Sequence, residues 1–356
     1  MTPASGERTP LEPLLWCLLA AGLFGASTPA AKLLTDSVGP LLLSGILYLG
    51  AAIAVCPWAL ASVRGLVGSD RHNQLRLAGA VLFGGILGPL CLLTGLRSAN
   101  AGSVALWLNL ETVATAVLAR VFFKEHLAPR TWAAVGLVVL ASSLLAPGTP
   151  EGKLAIVWVI LACLAWGLDN NLTALIDTYS PAQITFAKGS VAGAVNLSLG
   201  MLFDPGAVTL SAVGAGLLVG AFGYGASLLL YVAGAQHLGA TRSQLVFSTA
   251  PLFGLLLAWL ALGEPVLAGQ LAAAPLMGFA VWLWHRERHE HPHTHAALTH
   301  QHWHRHDDGH HEHSHEAAVP RGAWHSHEHT HEPIEHVHAH RPDLHHRHEH
   351  RDKAKH

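Results

Sequence analysis

Charge is scarce through most of this chain. The 284 residues before His285 hold 12 Lys/Arg and 11 Asp/Glu. That is 23 of 284, about 8%, where soluble domains carry about 25%. A soluble core of this length needs a far more polar surface, so that class is excluded. Cysteine is scarce too. Cys17, Cys56, Cys91 and Cys163 all lie inside apolar stretches with no CxxC spacing. This excludes a disulfide framework and leaves them as small buried hydrophobes. A formal net charge of −2 gives no basic footprint, so nucleic acid is excluded as a partner. Val55-Cys56-Pro57-Trp58 resembles the Cys-Pro pair of metal-pumping ATPases, but no P-loop or phosphorylation motif accompanies it. No enzyme activity is expected.

What the chain does have is apolar runs of about 20 residues, each long enough to cross a bilayer. Ten spans can be placed, at about 14–34, 39–61, 77–97, 101–121, 131–147, 154–174, 182–203, 210–233, 241–262 and 266–284. The expected fold is an all-α polytopic membrane protein of ten transmembrane helices. Leu14–Phe24 could pass for a signal peptide, but Arg8 is flanked by Glu7 and Glu12 and the apolar run continues to about Leu34. It reads as a retained first helix. Counting alternate loops, one side holds Arg8, Arg64, Arg71, Arg76, Arg120, Lys124, Arg130, Arg242, Arg286 and Arg288, and the other only Arg97 and Lys153. The positive-inside rule then puts both termini in the cytoplasm, for a multi-pass protein of the inner membrane.

The body is duplicated. Phe24-Gly25 in the first span matches Trp166-Gly167 in the sixth, and Gly84 in the third matches Gly223 in the eighth. Gly84/Gly88 and Gly216/Gly220 repeat a small-residue spacing that lets helices pack closely in lipid. Phe122-Phe123-Lys124-Glu125 matches Leu262-Gly263-Glu264-Pro265. Five spans per half force the second half to enter from the opposite face, an inverted repeat typical of carriers that rock around a central site. The segments are 1–13, an N-terminal cytosolic stretch; 14–147, the first five-helix repeat; 148–153, a linker; 154–284, the second repeat; and 285–356, the tail.

The residues from Leu23 to Lys32, Ala165 to Asn171, Leu110-Glu111-Thr112 with Lys124-Glu125, and Ser248-Thr249-Ala250-Pro251 with Gly263-Glu264-Pro265 carry a family resemblance. The chain resembles the drug/metabolite transporter superfamily, in its EamA-like ten-helix branch, over about residues 12–286. Two departures stand out. The family often has an arginine early in the second span, where this chain has Leu47-Tyr48. The proline common in the middle of the fourth span is replaced around Glu111-Thr112, although Pro251 is kept in the ninth. The resemblance implies secondary transport of a small solute by alternating access, export by default, with no cofactor required for the body.

Charges inside a membrane are costly and usually face a cavity or a partner. Glu111, about ten residues into the fourth span, reads as a proton- or cation-coupling carboxylate at the midplane. The plainer alternative is a protonated carboxyl bonded between helices. Asp169 and Lys188, on consecutive spans joined at one side, can form an ion pair, either structural or part of the path. Asn170 and Asn171 extend a polar cluster that could line a solute path. Asn109 and Tyr48 are further candidates, more in the manner of helix–helix glue. Lys32 reads as a snorkelling side chain, and Glu125 and Glu264 as structural or gate elements.

Of the 28 histidines, 25 lie in residues 285–356. His289, His291, His293, His295, His300, His302 and His304 recur 36 residues later as His325, His327, His329, His331, His336, His338 and His340. His310, His311, His313 and His315 recur 35 residues later as His345, His346, His348 and His350, and His306 lies between the groups. These 23 are the expected metal ligands. With very few apolar residues the tail cannot offset the entropy of ordering and is expected to be disordered without a ligand. Imidazole-rich sites favour Zn, Ni, Co or Cu over Mg or Ca. The H-E-x-x-H matches at His289, His311 and His327 arise from dense His/Glu alternation, one containing Pro292, and do not indicate a protease. Beside small-solute export, two alternatives stand: a transition-metal transporter, and a membrane-anchored metal buffer or sensor without transport. Expected partners are the lipid bilayer and a small-molecule or metal substrate, with the protein a monomer or homodimer.

Overall fold

The computed structural model describes residues 11–61, 71–123, 129–145, 150–176, 179–203, 208–238, 246–285, 289–295, 298–304, 325–331 and 334–340. The described body is helical: α1 Leu11–Lys32, α2 Pro40–Ala61, α3 Arg71–Ala80, π1 Val81–Leu87, α4 Gly88–Arg97, α5 Ala101–Trp107, α6 Leu110–Phe123 and α7 Pro129–Leu144 in the first half. The second half holds α8 Pro150–Ala174, α9 Pro181–Phe203, α10 Leu210–Gly220, π2 Ala221–Ala226, α11 Ser227–Leu238, α12 Ala250–Ala261 and α13 Ala268–His285. In lipid, backbone polar groups must be satisfied within the segment, which leaves the helix as the spanning form for such apolar stretches. Four helices open on proline (Pro40, Pro129, Pro150, Pro181), whose fixed φ and missing N–H suit the first helical position.

Among the described residues, seven helices are long and apolar enough to cross a membrane: Leu11–Lys32, Pro40–Ala61, Arg71–Arg97, Ala101–Phe122, Gly152–Ala174, Pro181–Phe203 and Leu210–Gly234. Three shorter apolar helices, Pro129–Leu144, Ala250–Ala261 and Ala268–Leu283, lie over the remaining expected spans. The outer surface carries apolar side chains such as Leu210, Leu260, Phe203 and Trp58, an exposure suited to lipid rather than water. This is a multi-pass membrane protein in contact with the bilayer.

Two spans expected as continuous helices are broken at matching places. The fourth is interrupted by a turn at Leu108-Asn109, the ninth by a turn at Ser248-Thr249. The third and eighth each contain a π segment over the matched glycines Gly84 and Gly223. There the N–H groups of Gly88 and Ser227 reach back five residues, to the carbonyls of Phe83 and Phe222.

Helix pairing follows the duplication. α2 packs on α9 and α7 on α13; α4 and α6 pack on α8, as α11 and α12 pack on α1. Exchanging the halves maps the set onto itself: α2–α9 and α7–α13 are unchanged, and the pairings on α8 become those on α1. In the α2–α9 contact, a Cβ on Gly45 would stand 2.5 Å from Leu197 N, one on Gly189 2.7 Å from Tyr48 O, and one on Gly200 2.6 Å from Leu42 N. Only glycine lets these backbones come so close. The main core gathers where α1, α2, α4, α5, α8, α12 and α13 meet, around Trp107, Leu43, Leu47, Leu93, Leu96 and Met277.

Four segments of the histidine-rich tail are extended. β1 His289–His295 pairs with β4 Ile334–His340, and β2 Leu298–His304 pairs with β3 His325–His331, both antiparallel. The last pair of one ladder, His295 with Ile334, and the first of the next, Leu298 with His331, are three residues apart on each side. The two ladders, each a separate two-stranded sheet, share one register. The physical reason lies in the pattern: strict alternation has the two-residue period of a strand, and each copy of the repeat offers the other a matching partner. His306, His310, His311, His313, His315, His345, His346, His348 and His350 lie outside the described residues.

Candidate transport site

The site grows from the break in the fourth span. Asn109, at the turn, donates through Nδ2 to Leu106 O (3.1 Å) and towards Met277 Sδ (3.3 Å), tying the break to α13. Glu111 follows in the first turn of α6. The N-terminus of a helix carries unpaired N–H groups and a partial positive charge, which favour a carboxylate. Asn170 on α8 donates through Nδ2 to Glu111 Oε1 (2.8 Å) and to Thr115 Oγ1 (3.2 Å). Next to it, Asn171 donates to Thr115 O (3.1 Å) and to Gly167 O (2.7 Å). Two adjacent amides on α8 therefore grip α6.

On the neighbouring face of α8, Asp169 meets Lys188 of α9, Nζ to Oδ2 2.5 Å, with side chains 6% and 18% exposed. Thr173 donates to the other carboxylate oxygen, Oδ1, at 3.0 Å. The pair lies against π1, where a Cβ on Gly84 would overlap the Asp169 carboxylate. The wide turn leaves carbonyls open to other helices. Gly84 O accepts Tyr48 Oη–H (2.5 Å) from α2 and Trp166 Nε1–H (2.9 Å) from α8. Gly85 O accepts Asn196 Nδ2–H (3.0 Å) from α9.

Rings from both halves run on from Tyr48: Tyr224 at 5.9 Å between centroids, Phe24 at 6.0 Å from Tyr224, Phe247 at 5.4 Å from Phe24 and Tyr231 at 4.9 Å from Phe247. All but Tyr48 are partly exposed. Asn170 is exposed as well, and its direction matters. Leu154, Val157, Leu161 and Leu164 are the exposed apolar stripe of α8. At about 100° per residue, Asn170 points about 240° round from Leu164, away from that stripe. Asn170 is therefore exposed on a different side of α8 from Leu164, near the C-terminal end of the helix.

The structure thus brings Glu111 together with Asn170, and Asp169 with Lys188, while Asn171 braces the same helices. Tyr48 joins them through π1, and Asn109 stands at the break and faces α13 instead. Trp166, Thr115, Thr173, Asn196 and Tyr224 belong to the site but were not singled out by the sequence reading. Trp166 served there only as a repeat marker. Thr115 had a usable signal, lying one turn beyond Glu111 on the same face. The Lys32 Nζ donates to Leu96 O (2.6 Å) and Arg97 O (3.1 Å). Among the described side chains, no group of three or more His, Cys, Asp or Glu is placed to hold a metal ion.

Comparison with known proteins agrees with this architecture. A solved crystal structure of a protein superposes with a TM-score of 0.55 at 17% identity, over 76% of this chain and 96% of the other, which speaks for the fold alone. An uncharacterized transporter from Methanothermobacter thermautotrophicus is 25% identical over 294 residues, covering 75% of this chain and 85% of that protein. The model of the EamA-like transporter family matches twice, at residues 12–146 and 153–285. The chain belongs to the EamA-like transporter family.

Proposed function

We propose that this protein is a secondary-active exporter of a small solute, working by alternating access across the inner membrane with both termini in the cytoplasm. In this reading the body crosses the membrane ten times as two inverted five-helix repeats. The matched breaks, the matched π segments and the exchange symmetry of the helix pairing all support it. The observation that carries the reading is the hydrogen-bonded charge cluster of Glu111, Asn170, Asp169 and Lys188, placed between a broken helix and a π segment. π-bulges recur at functional sites, and carriers build their sites from discontinuous helices whose ends supply partial charge. The Glu111 carboxylate accepts from the Asn170 side-chain amide, a neutral partner that fits a carboxylate that gains and loses a proton or cation. Asp169 and Lys188 hold the wall, and Asn171, Asn109 and Tyr48 line or brace the path.

The test is flux in proteoliposomes under an imposed proton gradient, against a panel of amino acids, aromatic drugs and Zn, Ni, Co and Cu ions. Glu111→Gln abolishes coupled flux while the protein stays in the membrane. Full flux in that variant would remove Glu111 as the coupling group.

A second reading concerns the tail, and the strand register favours it. His289, His291 and His293 stand opposite His340, His338 and His336, and His300, His302 and His304 opposite His329, His327 and His325. Directly opposed strand positions lie about 4.5–5.5 Å apart, so each ladder sets histidine positions in opposed pairs. The tail in this reading binds Zn, Ni, Co or Cu, and gathers or senses the ion. Deleting the tail separates three cases. A metabolite exporter keeps its flux, a metal transporter loses apparent affinity for the ion, and a membrane-anchored buffer or sensor has no flux with or without the tail.

A further inference from the structure

The turn joining α4 to α5 lacks side-chain caps of its own. At its start, the last carbonyls of α4 have no successors in the helix. At its end, Asn100 occupies the N-cap of α5 but makes no side-chain cap bond. Both ends are satisfied from elsewhere. Lys32, in the last turn of α1, donates to Leu96 O and Arg97 O at 2.6 and 3.1 Å. Glu264 accepts from Ala101 N at Oε1 (2.7 Å) and from Gly102 N at Oε2 (3.0 Å). Each charge has the sign that its helix end prefers, cation at the C-terminus and anion at the N-terminus.

Glu264 is aimed by its own neighbour. Gly263, at φ 64°, turns the chain sharply after α12, and Glu264 N then donates to Ala258 O at 3.1 Å. A left-handed φ of this kind is open to glycine at little cost. The four contacts thus join the ends of α1 and α12 to the α4–α5 turn. α1 and α12 pack on each other, so the arrangement closes one end of the bundle on which both halves converge. The exposed Asn170 lies near the far end of α8 instead.

The second half has no equivalent lysine. Counting from the matched Gly25 and Gly167, the position of Lys32 corresponds to Ala174. We propose that Lys32 and Glu264 are the gate latch of one side of the carrier: positioning residues that hold the α4–α5 turn shut in the state described and release it when the interior opens to that side. The inference rests on the carrier reading above.

The test is thiol accessibility in the full-length protein in proteoliposomes. Thr28 is buried and lies one turn inside Lys32 on α1. Thr28→Cys, measured against the same chain without that cysteine, reacts slowly with a water-soluble thiol reagent. Adding Glu264→Gln or Lys32→Met speeds the reaction by roughly tenfold, as helix-end contacts are released. Lys32→Arg keeps it slow, and Gly263→Val, which leaves both charges in place but misdirects Glu264, speeds it as well. A purely structural cap would lower the melting temperature in these variants and leave the labelling rate unchanged, and that result would overturn the latch. Fast labelling already in the wild-type background would overturn it too. If flux depends on Glu111 while the latch variants stay closed, the latch fails alone. If the latch variants open but no solute moves under any condition, the carrier reading fails and the latch remains as a structural contact.

Discussion

Ser27 and Asp169 stand at corresponding places in the two halves, two residues beyond Gly25 and Gly167, and each lies against the glycine of a π segment. A Cβ on Gly223 would stand 2.6 Å from Ser27 Cβ, and one on Gly84 would overlap the Asp169 carboxylate. The scaffold is the same and the chemistry is not. Ser27 donates to Phe24 O in its own helix (2.6 Å), whereas Asp169 holds Lys188 of the next helix. The carbonyl of Gly223 is satisfied within its own helix by Ser227 (2.6 Å), that of Gly84 by Tyr48 and Trp166 from two others. The two broken spans differ likewise: after the break the ninth has Pro251, near the start of α12, and the fourth has Glu111. Duplication supplied the breaks and the wide turns. Divergence placed the charge, and placed it on the seam where α6, α8, α9 and π1 meet.

Three perturbations would break or sharpen this contrast. The largest effect is expected from Lys188→Met, which leaves Asp169 buried and unpaired at a cost of about 3–5 kcal/mol. The double change Asp169→Ser with Lys188→Met, which gives the second half the chemistry of the first, should restore most of that stability in thermal unfolding of the solubilised chain. A single variant as stable as wild type would mean that the pair is not desolvated. Gly84→Ala should cost about 1–3 kcal/mol by overpacking, and more than Gly223→Ala, because the neighbour that must move is an ion-paired carboxylate rather than a small serine. Equal losses would contradict the contrast. The smallest effects belong to the carbonyls. Tyr48→Phe and Trp166→Phe should each cost about 0.5–1.5 kcal/mol, and together more than their sum, since only the double change orphans Gly84 O. Strict additivity would show that the two donors do not share it.

Much of this could be read in the sequence. The apolar runs, the duplication and the Asp169–Lys188 pair all follow from spacing and from the cost of charge in lipid. The breaks and π segments could not be read, because they shift hydrogen bonds by one residue without changing hydropathy. Leu108-Asn109 looks like ordinary helix, and Gly84-Gly85 like an ordinary packing site. The partner of Glu111 was likewise hidden. Asn170 was noticed for its polarity, but the contact spans 59 residues and depends on how α8 packs on α6. Lys32 and Glu264 were seen as end residues, and their shared target emerged only when α1 and α12 came together beside the α4–α5 turn. The tail's sequence points two ways. Its composition argued for disorder, while its two-residue alternation, in duplicate, is also a strand pattern.

The central claim is that two copies of one five-helix unit face opposite ways and enclose the charged seam. Single cysteines at Arg71, which opens α3, and Lys153, in the first turn of α8, test it most directly, because both positions are exposed and the proposed threading puts them on opposite sides. Labelling with a membrane-impermeant reagent in sealed, oriented vesicles should reach one from outside and the other only after permeabilisation. Labelling of both from the same side would contradict the inverted arrangement and the carrier built on it.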